Sequence, residues 1–389
     1  MIRKISAFAF ILTFLVGIVG SGAAAFAQST SEADQFDNAI AYPTIILQNA
    51  HGTRAPDVNG FTPQQFRKAY GIDQLSQQGA GITIAIVDAC GNPHVQSDLD
   101  QYDQAFGLPS TTVKVVYPQG KKVCSAPSSW GLETDLDVEM AHAVAPQATI
   151  VLEVTVNPTF KRLDQGAQDA YVNQGAADVS MSFGGKERPG EKGAHGDAIF
   201  AAGNAKGVTF TASSGDSGCG VSYPAASPDV VAVGGTVLTI KQDGTYVSET
   251  TWSSSGGGLS KFEHVPSYQN GFNNNAKRGV PDVAMVATGM AMYDSDFGGF
   301  VEVAGTSIGA PIWSGVLADA NSGRQHTFMN ADIELYSVAS NSQKYARDYH
   351  DITTGSSGGI CNAGPGYDFP TGLGSPVSNN LVPDLIAAP

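Results

Sequence analysis

Short apolar strands alternating with helical stretches predict an α/β fold, with a mostly parallel central sheet and helices on both faces. Three observations carry this. Residues 82–87 form a near-continuous apolar run that ends at Asp88 and a glycine turn. Residues 148–154, 178–183, 208–213 and 230–233 repeat that pattern. Between these runs lie segments with helical spacing at 97–106, 132–144, 163–174 and 191–205. Ligands of such sheets bind beyond the strand C-termini. Asp88, Ser182 and Asp216 all fall just past strand ends, so the topology predicts that they share one crevice.

From the N-terminus, Arg3 and Lys4 precede an apolar run at 7–19, and Ala25-Phe26-Ala27 supplies a small-residue cleavage pattern. Residues 1–27 therefore read as a secretory signal. Residues 28–60 are polar and weakly patterned, and an extended arm is expected there. Thr62-Pro63 reads as an N-cap with proline in the first turn, opening a helix to residue 70 and a single domain over 61–389. Segments 253–258 and 273–275 read as loops.

The 389 residues carry a formal net charge of −15. Such acidity repels phosphate backbones and argues against nucleic acid as partner. It also suits an acidic milieu, where carboxylates lose their mutual repulsion. No later stretch is long and apolar enough to span a bilayer. The four cysteines, Cys90, Cys124, Cys219 and Cys361, fit an oxidising compartment; three pairings are open, and their spacing does not suit zinc. A secreted or periplasmic protein, expected as a monomer, follows.

Gly305-Thr306-Ser307, followed by Ile308-Gly309-Ala310-Pro311, delivers a serine hydroxyll to a helix start, where N–H groups and the dipole stabilise negative charge. A serine needs a base to become a nucleophile. His142 lies deep in the 132–144 helix and His51 precedes Asp88, so neither suits the role. Glu133 and Asp137 lie one helical turn apart and can share a proton. Asp135 and Glu139 have the same spacing, so spacing leaves two candidate pairs. Asp216, in Ser213-Ser214-Gly215-Asp216-Ser217-Gly218, sits on a glycine turn past a strand. Buried there, a protonated carboxyl donates a hydrogen bond to a developing oxyanion.

Together Glu133-Thr-Asp-Leu-Asp137-Val-Glu, Ser214-Gly-Asp216-Ser-Gly and Gly305-Thr-Ser307 with Ala310-Pro311 resemble the sedolisins, the serine-carboxyl peptidases. Ala145-Pro146, Trp252-Ser-Ser-Ser-Gly-Gly-Gly and Arg278-Gly-Val-Pro-Asp282 extend the likeness over residues 62–376. The resemblance implies a subtilisin-like three-layer fold and a serine-type endopeptidase acting on proteins or peptides in acid. In that reading Ser307 is the nucleophile, Glu133 its base, Asp137 the group orienting Glu133, and Asp216 the oxyanion partner. Ser182, Gly184 and Ser214 would bind substrate. A catalytically silent binding protein on the same fold is the alternative.

The resemblance also implies a structural calcium ion held by the Asp351 and Asp368 side chains and the carbonyls of Ile352, Gly364 and Gly366. It implies the disulfide Cys219–Cys361, which leaves Cys90–Cys124. Two departures stand out: Phe183, where many relatives have tryptophan, and Asp88, where some have glutamate. The arm at 28–60 also falls short of the full prosegment the family usually carries.

Overall fold

The apolar runs assemble into one eight-stranded sheet, seen in a computed structural model that describes residues 31–53, 60–122 and 127–388. Its strands in chain order are β1 (Thr83–Ala89), β2 (Lys114–Val116), β3 (Thr149–Thr155), β4 (Asp178–Met181), β5 (Thr209–Ser213), β6 (Val231–Ile240), β7 (Tyr246–Thr251) and β8 (Val283–Val286). They lie in the order β7-β6-β5-β4-β1-β3-β2, with β8 also pairing with β6. Every neighbouring pair is parallel except the β6–β7 hairpin. The signal segment 1–27 and Cys124 lie outside the described residues.

The alternation of β1 shows why the sheet needs two covers. Ile84 and Ile86 pack with Val95 and Leu99 of helix α1 (Val95–Phe106) and Val138 of α2 (Ser129–Val144). Ala85 and Val87 pack on the opposite face with Leu163 of α3 (Phe160–Val172) and Phe200 of α4 (Asp197–Asn204). Helix α5 (Gly309–Ser322) joins the α2 side, where Trp313 is fully buried and donates to the Ala284 carbonyl at 2.9 Å. Burying each large apolar side chain contributes about 1.5–3 kcal/mol. The helix Pro63–Ala69 begins at a capping box in which Thr62 and Gln65 satisfy each other's backbone N–H groups.

Three elements differ from the sequence reading. The expected helix at 191–205 starts only at Asp197, because Gly196 lies so close to the Glu191 carbonyl that the chain folds back before it. The strand expected at 178–183 stops at Met181, and Phe183–Lys186 turns into a separate sheet with Tyr42–Pro43 and Ser222–Tyr223. The arm is not wholly extended: Glu32–Asp37 is helical. Phe36 anchors that turn, stacking on Phe160 (centroids 5.3 Å) and meeting Tyr223 edge-on.

Two covalent or ionic ties fix the loops around the sheet ends. Cys219 and Cys361 form a disulfide across 142 residues, the pairing implied by the resemblance. Arg278, fully buried, grips Asp282 with two nitrogens at 2.6 and 3.1 Å and also donates to the Val230 carbonyl and Tyr268 hydroxyl.

Candidate active site

Helix α2 opens at Ser128, whose hydroxyl caps the Gly131 N–H at 2.9 Å. Its first half aims Glu133 and Asp137 in one direction and Asp135 and Glu139 in another. Asp135 accepts from Asn92 at 2.7 Å, and Glu139 accepts from the Tyr293 N–H at 3.1 Å. Both are thus occupied away from Ser307. Asp137 accepts from the Ser182 hydroxyl at 2.8 Å, just past β4, and Ser182 also reaches the Ser307 carbonyl at 3.3 Å. The structure therefore separates the two carboxylate pairs that spacing left open. His142 hydrogen-bonds the Pro109 carbonyl at 2.7 Å and lies 3.4 Å from Asp103.

Ser307 sits in the one-turn helix Thr306–Ile308 that leads into α5. Gly305 before it has φ +148°, and a Cβ there would stand 2.1 Å from the Thr44 carbonyl oxygen and 3.0 Å from Asp216 Oδ2. Only glycine fits. Asp216 Oδ1 accepts two hydrogen bonds of 2.8 Å, from the Thr306 N–H and hydroxyl. Its Oδ2 is buried and has no partner. Desolvation pushes the Asp216 carboxyl up to about 7, against the two Thr306 hydrogen bonds that favour its charged form. In acid it therefore carries a proton. With Oδ1 already accepting twice, that proton belongs on Oδ2, facing Gly305.

Glu133, Asp137 and Asp88 form a second set, all fully buried. Burial is the largest effect raising Glu133 well above its ordinary value, with repulsion from Asp137 and Asp88 added; the Ser307 hydroxyl opposes it. Asp137 is likewise raised by burial and Asp88, while bonds from Ser182 and Glu133 favour its charge. Burial lifts Asp88 to about 7, opposed by the Thr134 hydroxyl. Three carboxyl groups so placed cannot all ionise. The Ser182 hydroxyl on Asp137 Oδ1 favours the negative charge there, whereas both Glu133 oxygens are buried without a hydrogen-bond partner and favour a proton.

The segment 38–46 runs through the cleft beside this set. Tyr42 and Pro43 pair antiparallel with Gly184 and Phe183. The Thr44 N–H donates to the Ser182 carbonyl at 3.3 Å, and the Thr44 carbonyl accepts from the Ser307 N–H at 3.3 Å and from its hydroxyl. The Thr44 hydroxyl meets Ser213 Oγ at 2.6 Å and Ser307 Oγ at 2.8 Å. Around this segment a groove of about 1220 Å³ is lined by Gly184, Gly185, Asp216 and Gly256 among others. Of the residues expected to bind substrate, Ser182 and Gly184 offer backbone to the cleft. Ser214 does not: its hydroxyl, fully buried, is taken by the Gly256 carbonyl at 2.9 Å. Thr44 was invisible to pattern reading, because it lies in no motif; Ser213 lies in the segment read around Asp216 but was given no role.

Among the described residues, two places have donor sets for a cation. Asp351 accepts from the Gly366 N–H at 3.0 Å and the Tyr345 hydroxyl at 3.1 Å. Asp368 accepts from the Gly364 N–H and from Thr371, and is raised to about 6, chiefly by burial, with Asp351 repelling it. Two mutually repelling carboxylates on one glycine-rich loop suit a hard divalent ion, so the residues fit calcium. Elsewhere Asp98, Asp135 and Asp294 bring carboxylate oxygens within 4.8 Å of one another, all buried. Asp98 accepts from Ser295 and Asp294 from the Asp296 N–H, and protons or a cation must balance the three.

Residues 128–346 match the profile of the subtilase family. The chain is 28% identical over 362 residues to sedolisin of Pseudomonas sp. (strain 101), covering 82% of this chain and 60% of that protein. It is 32% identical over 368 residues to kumamolisin of Bacillus sp. (strain MN-32), covering 84% and 64%. It thus spans about three-fifths of the length of these curated relatives. The solved structure of Pseudomonas sedolisin, a serine-carboxyl proteinase complexed with two molecules of pseudo-iodotyrostatin, superposes with a TM-score of 0.72 at 28% identity, covering 84% of this chain and 98% of that one. Sphericase, at 19% identity and a TM-score of 0.56, shares the fold. The chain belongs to the subtilase family, on its sedolisin branch.

Proposed function

We propose that this protein is a secreted serine-carboxyl endopeptidase that hydrolyses proteins or peptides in acid. The observation that carries the reading is the Ser307 hydroxyl and N–H on a peptide carbonyl, beside buried oxygens of Glu133 and Asp216 that lack hydrogen-bond partners and lie close enough to act on each other. Ser307 Oγ attacks the substrate carbonyl carbon as Glu133 takes its proton. The proton already shared by Glu133 shifts toward Asp137, which holds it and orients the base. Asp216 Oδ2–H and the Ser307 N–H then stabilise the oxyanion. Return of the proton to the departing amine and attack by water complete the turnover. Ser182 steadies Asp137 through its hydroxyl.

Internal cleavage is supported by the cleft itself, which seats chain on both sides of Ser307. The Asp351–Asp368 loop is read as a structural calcium site, with carbonyls of Ile352, Gly364 and Gly366 completing the set. The ion, when bound, cancels the repulsion between the two carboxylates. Export follows from the signal segment and agrees with the disulfide; among the described residues no helix is long and apolar enough to cross a membrane. The protein is read as a monomer.

Casein cleavage measured from about pH 2 to about pH 8 tests the reading, with Ser307→Ala as control. An acid optimum, falling as Asp216 loses its proton near 7, is expected. An optimum at neutrality or above contradicts the carboxyl base, and absence of cleavage at every pH supports a silent binding protein.

A further inference from the structure

We propose that Asp98, Asp135 and Asp294 form a cation site for a hard divalent ion, calcium, on the face of α2 turned away from Ser307. The inference goes beyond the peptidase reading and is separate from the Asp351–Asp368 loop.

Three separate elements bring the carboxylates together. Asp98 comes from the first turn of α1, Asp135 from α2, and Asp294 from the end of the strand Met290–Asp294. One oxygen of each lies within 4.8 Å of the others, and the three residues are at most 2% exposed. Two oxygens bound to one calcium ion at its usual ~2.3–2.6 Å stand no more than about 5 Å apart, so the spacing suits a shared ion. The set holds neither cysteine nor histidine, which turns it from zinc toward oxygen-seeking ions.

The hydrogen bonds these acids accept fall on one side of each. Asn92 reaches Asp135 Oδ2 at 2.7 Å, Ser295 reaches Asp98 Oδ2 with its N–H and hydroxyl, and the N–H groups of Asp296 and Phe297 reach Asp294 Oδ1. Asp135 Oδ1 and Asp294 Oδ2 are buried and have no partner. An independent sign comes from the flanking residues. Tyr102 stands one turn beyond Asp98 on α1, and its hydroxyl is fully buried without a partner. Glu139 stands one turn beyond Asp135 on α2. Burial raises it most, then repulsion from Asp135, with Asp98 and Asp294 adding to this against the Tyr293 N–H. Glu139 is also the charge that acts most on Tyr102. A fourth carboxylate and an unused hydroxyl thus border the set. No lysine or arginine is among the groups acting on Asp135, Glu139 or Asp294, and buried carboxylates without such a partner call for a metal or for protons.

The one-turn helix Ser295–Phe297 closes the set from outside. Ser295 is exposed, and the Asp296 side chain, 19% exposed, lies 4.0 Å from His94. An ion enters by way of that turn. Once bound, it joins α1, α2 and the strand Met290–Asp294 at Asp135, the residue midway between Glu133 and Asp137. It thereby fixes the position of the helix that carries both.

The test titrates calcium chloride into chelator-stripped, full-length protein at neutral pH by isothermal titration calorimetry, with the melting temperature read alongside. Asp351→Ala disables the loop read as a calcium site and leaves these three acids untouched. That variant should still bind one ion per chain and melt higher in calcium. Adding Asp98→Asn or Asp294→Asn to it should abolish both the binding and the rise, with circular dichroism unchanged. An Asp351→Ala protein that binds no calcium overturns the inference, and so does an ion that survives both asparagine substitutions. A crystal of Asp351→Ala grown with calcium should show the ion between the three carboxylates. An ion anywhere else overturns the inference even where the asparagine variants fail to fold. None of these outcomes bears on the peptidase reading, which casein cleavage tests separately.

Discussion

Two clusters of buried charge among the described residues are treated in opposite ways, one around Arg278 and one around Glu133. At Arg278 and Asp282, a fully buried guanidinium and carboxylate meet bidentately, and Gln269, Tyr336, the Ala232 N–H and the Val230 carbonyl bond their other atoms, Arg278 Nε excepted. At Glu133, Asp137 and Asp88, three carboxyl groups are equally buried with no cation among the groups acting on them: burial and their mutual repulsion raise them, opposed by the hydroxyls of Ser307, Ser182 and Thr134. The first arrangement neutralises charge with charge; the second neutralises it with protons. A buried carboxylate with a cation is a fastener, whereas one held by shared protons is poised to exchange them. That difference separates structural acids from chemical ones in a chain rich in both.

Breaking the second cluster should show in rate. Glu133→Gln removes the base and should lower kcat by about 10²–10⁴-fold, read by peptide hydrolysis, with the unfolding midpoint retained or raised. A large loss of stability without loss of kcat per folded molecule would place Glu133 among the fasteners. Breaking the first should show in stability. Arg278→Met strands the Asp282 charge and should cost about 3–5 kcal/mol by urea unfolding, with kcat per folded molecule unchanged. Cys219→Ser, which opens a loop of 142 residues, should cost about 2–5 kcal/mol.

The proton-held acids also set a pH dependence of stability. Asp88 is raised from 3.8 to about 7, and Asp178 and Asp319 to about 8, each chiefly by burial. Raised values mean that the folded state holds protons the unfolded chain releases near 3.8. This contribution to stability is complete below that value and is lost as pH rises through about 7 to 8. The melting temperature should therefore fall across that window, and a rise would contradict the account. The smallest effect expected is from a chelator at the calcium site proposed at Asp351 and Asp368: at about 100 times Kd an ion there would contribute roughly 2.7 kcal/mol, read as a lower melting temperature in chelator.

Much of this was legible in residues whose roles depend on local chemistry. The parallel strands were readable because strands buried on both faces must be apolar throughout, and the Thr62-Pro63 start because a cap acts over one turn. The two pairs on α2 were not separable, since Glu133/Asp137 and Asp135/Glu139 differ only in which neighbours the tertiary fold gives them. Asn92 and Tyr293, both remote in sequence, decide it. The placement of Thr44 left no trace either. It depends on main-chain pairing with Phe183 and Gly184, and backbone hydrogen bonds have no residue signature. The short helix Glu32–Asp37 was missed because one aromatic residue, Phe36, holds it through distant rings.

The central claim is that Asp216 works as a protonated donor. Asp216→Asn keeps a donor at that position but removes its titration, so the pH profile of kcat/KM for wild type and variant tests the claim most directly. The wild-type profile should fall as pH passes about 7, and that fall should vanish from the variant. The same alkaline fall in both proteins would contradict the account.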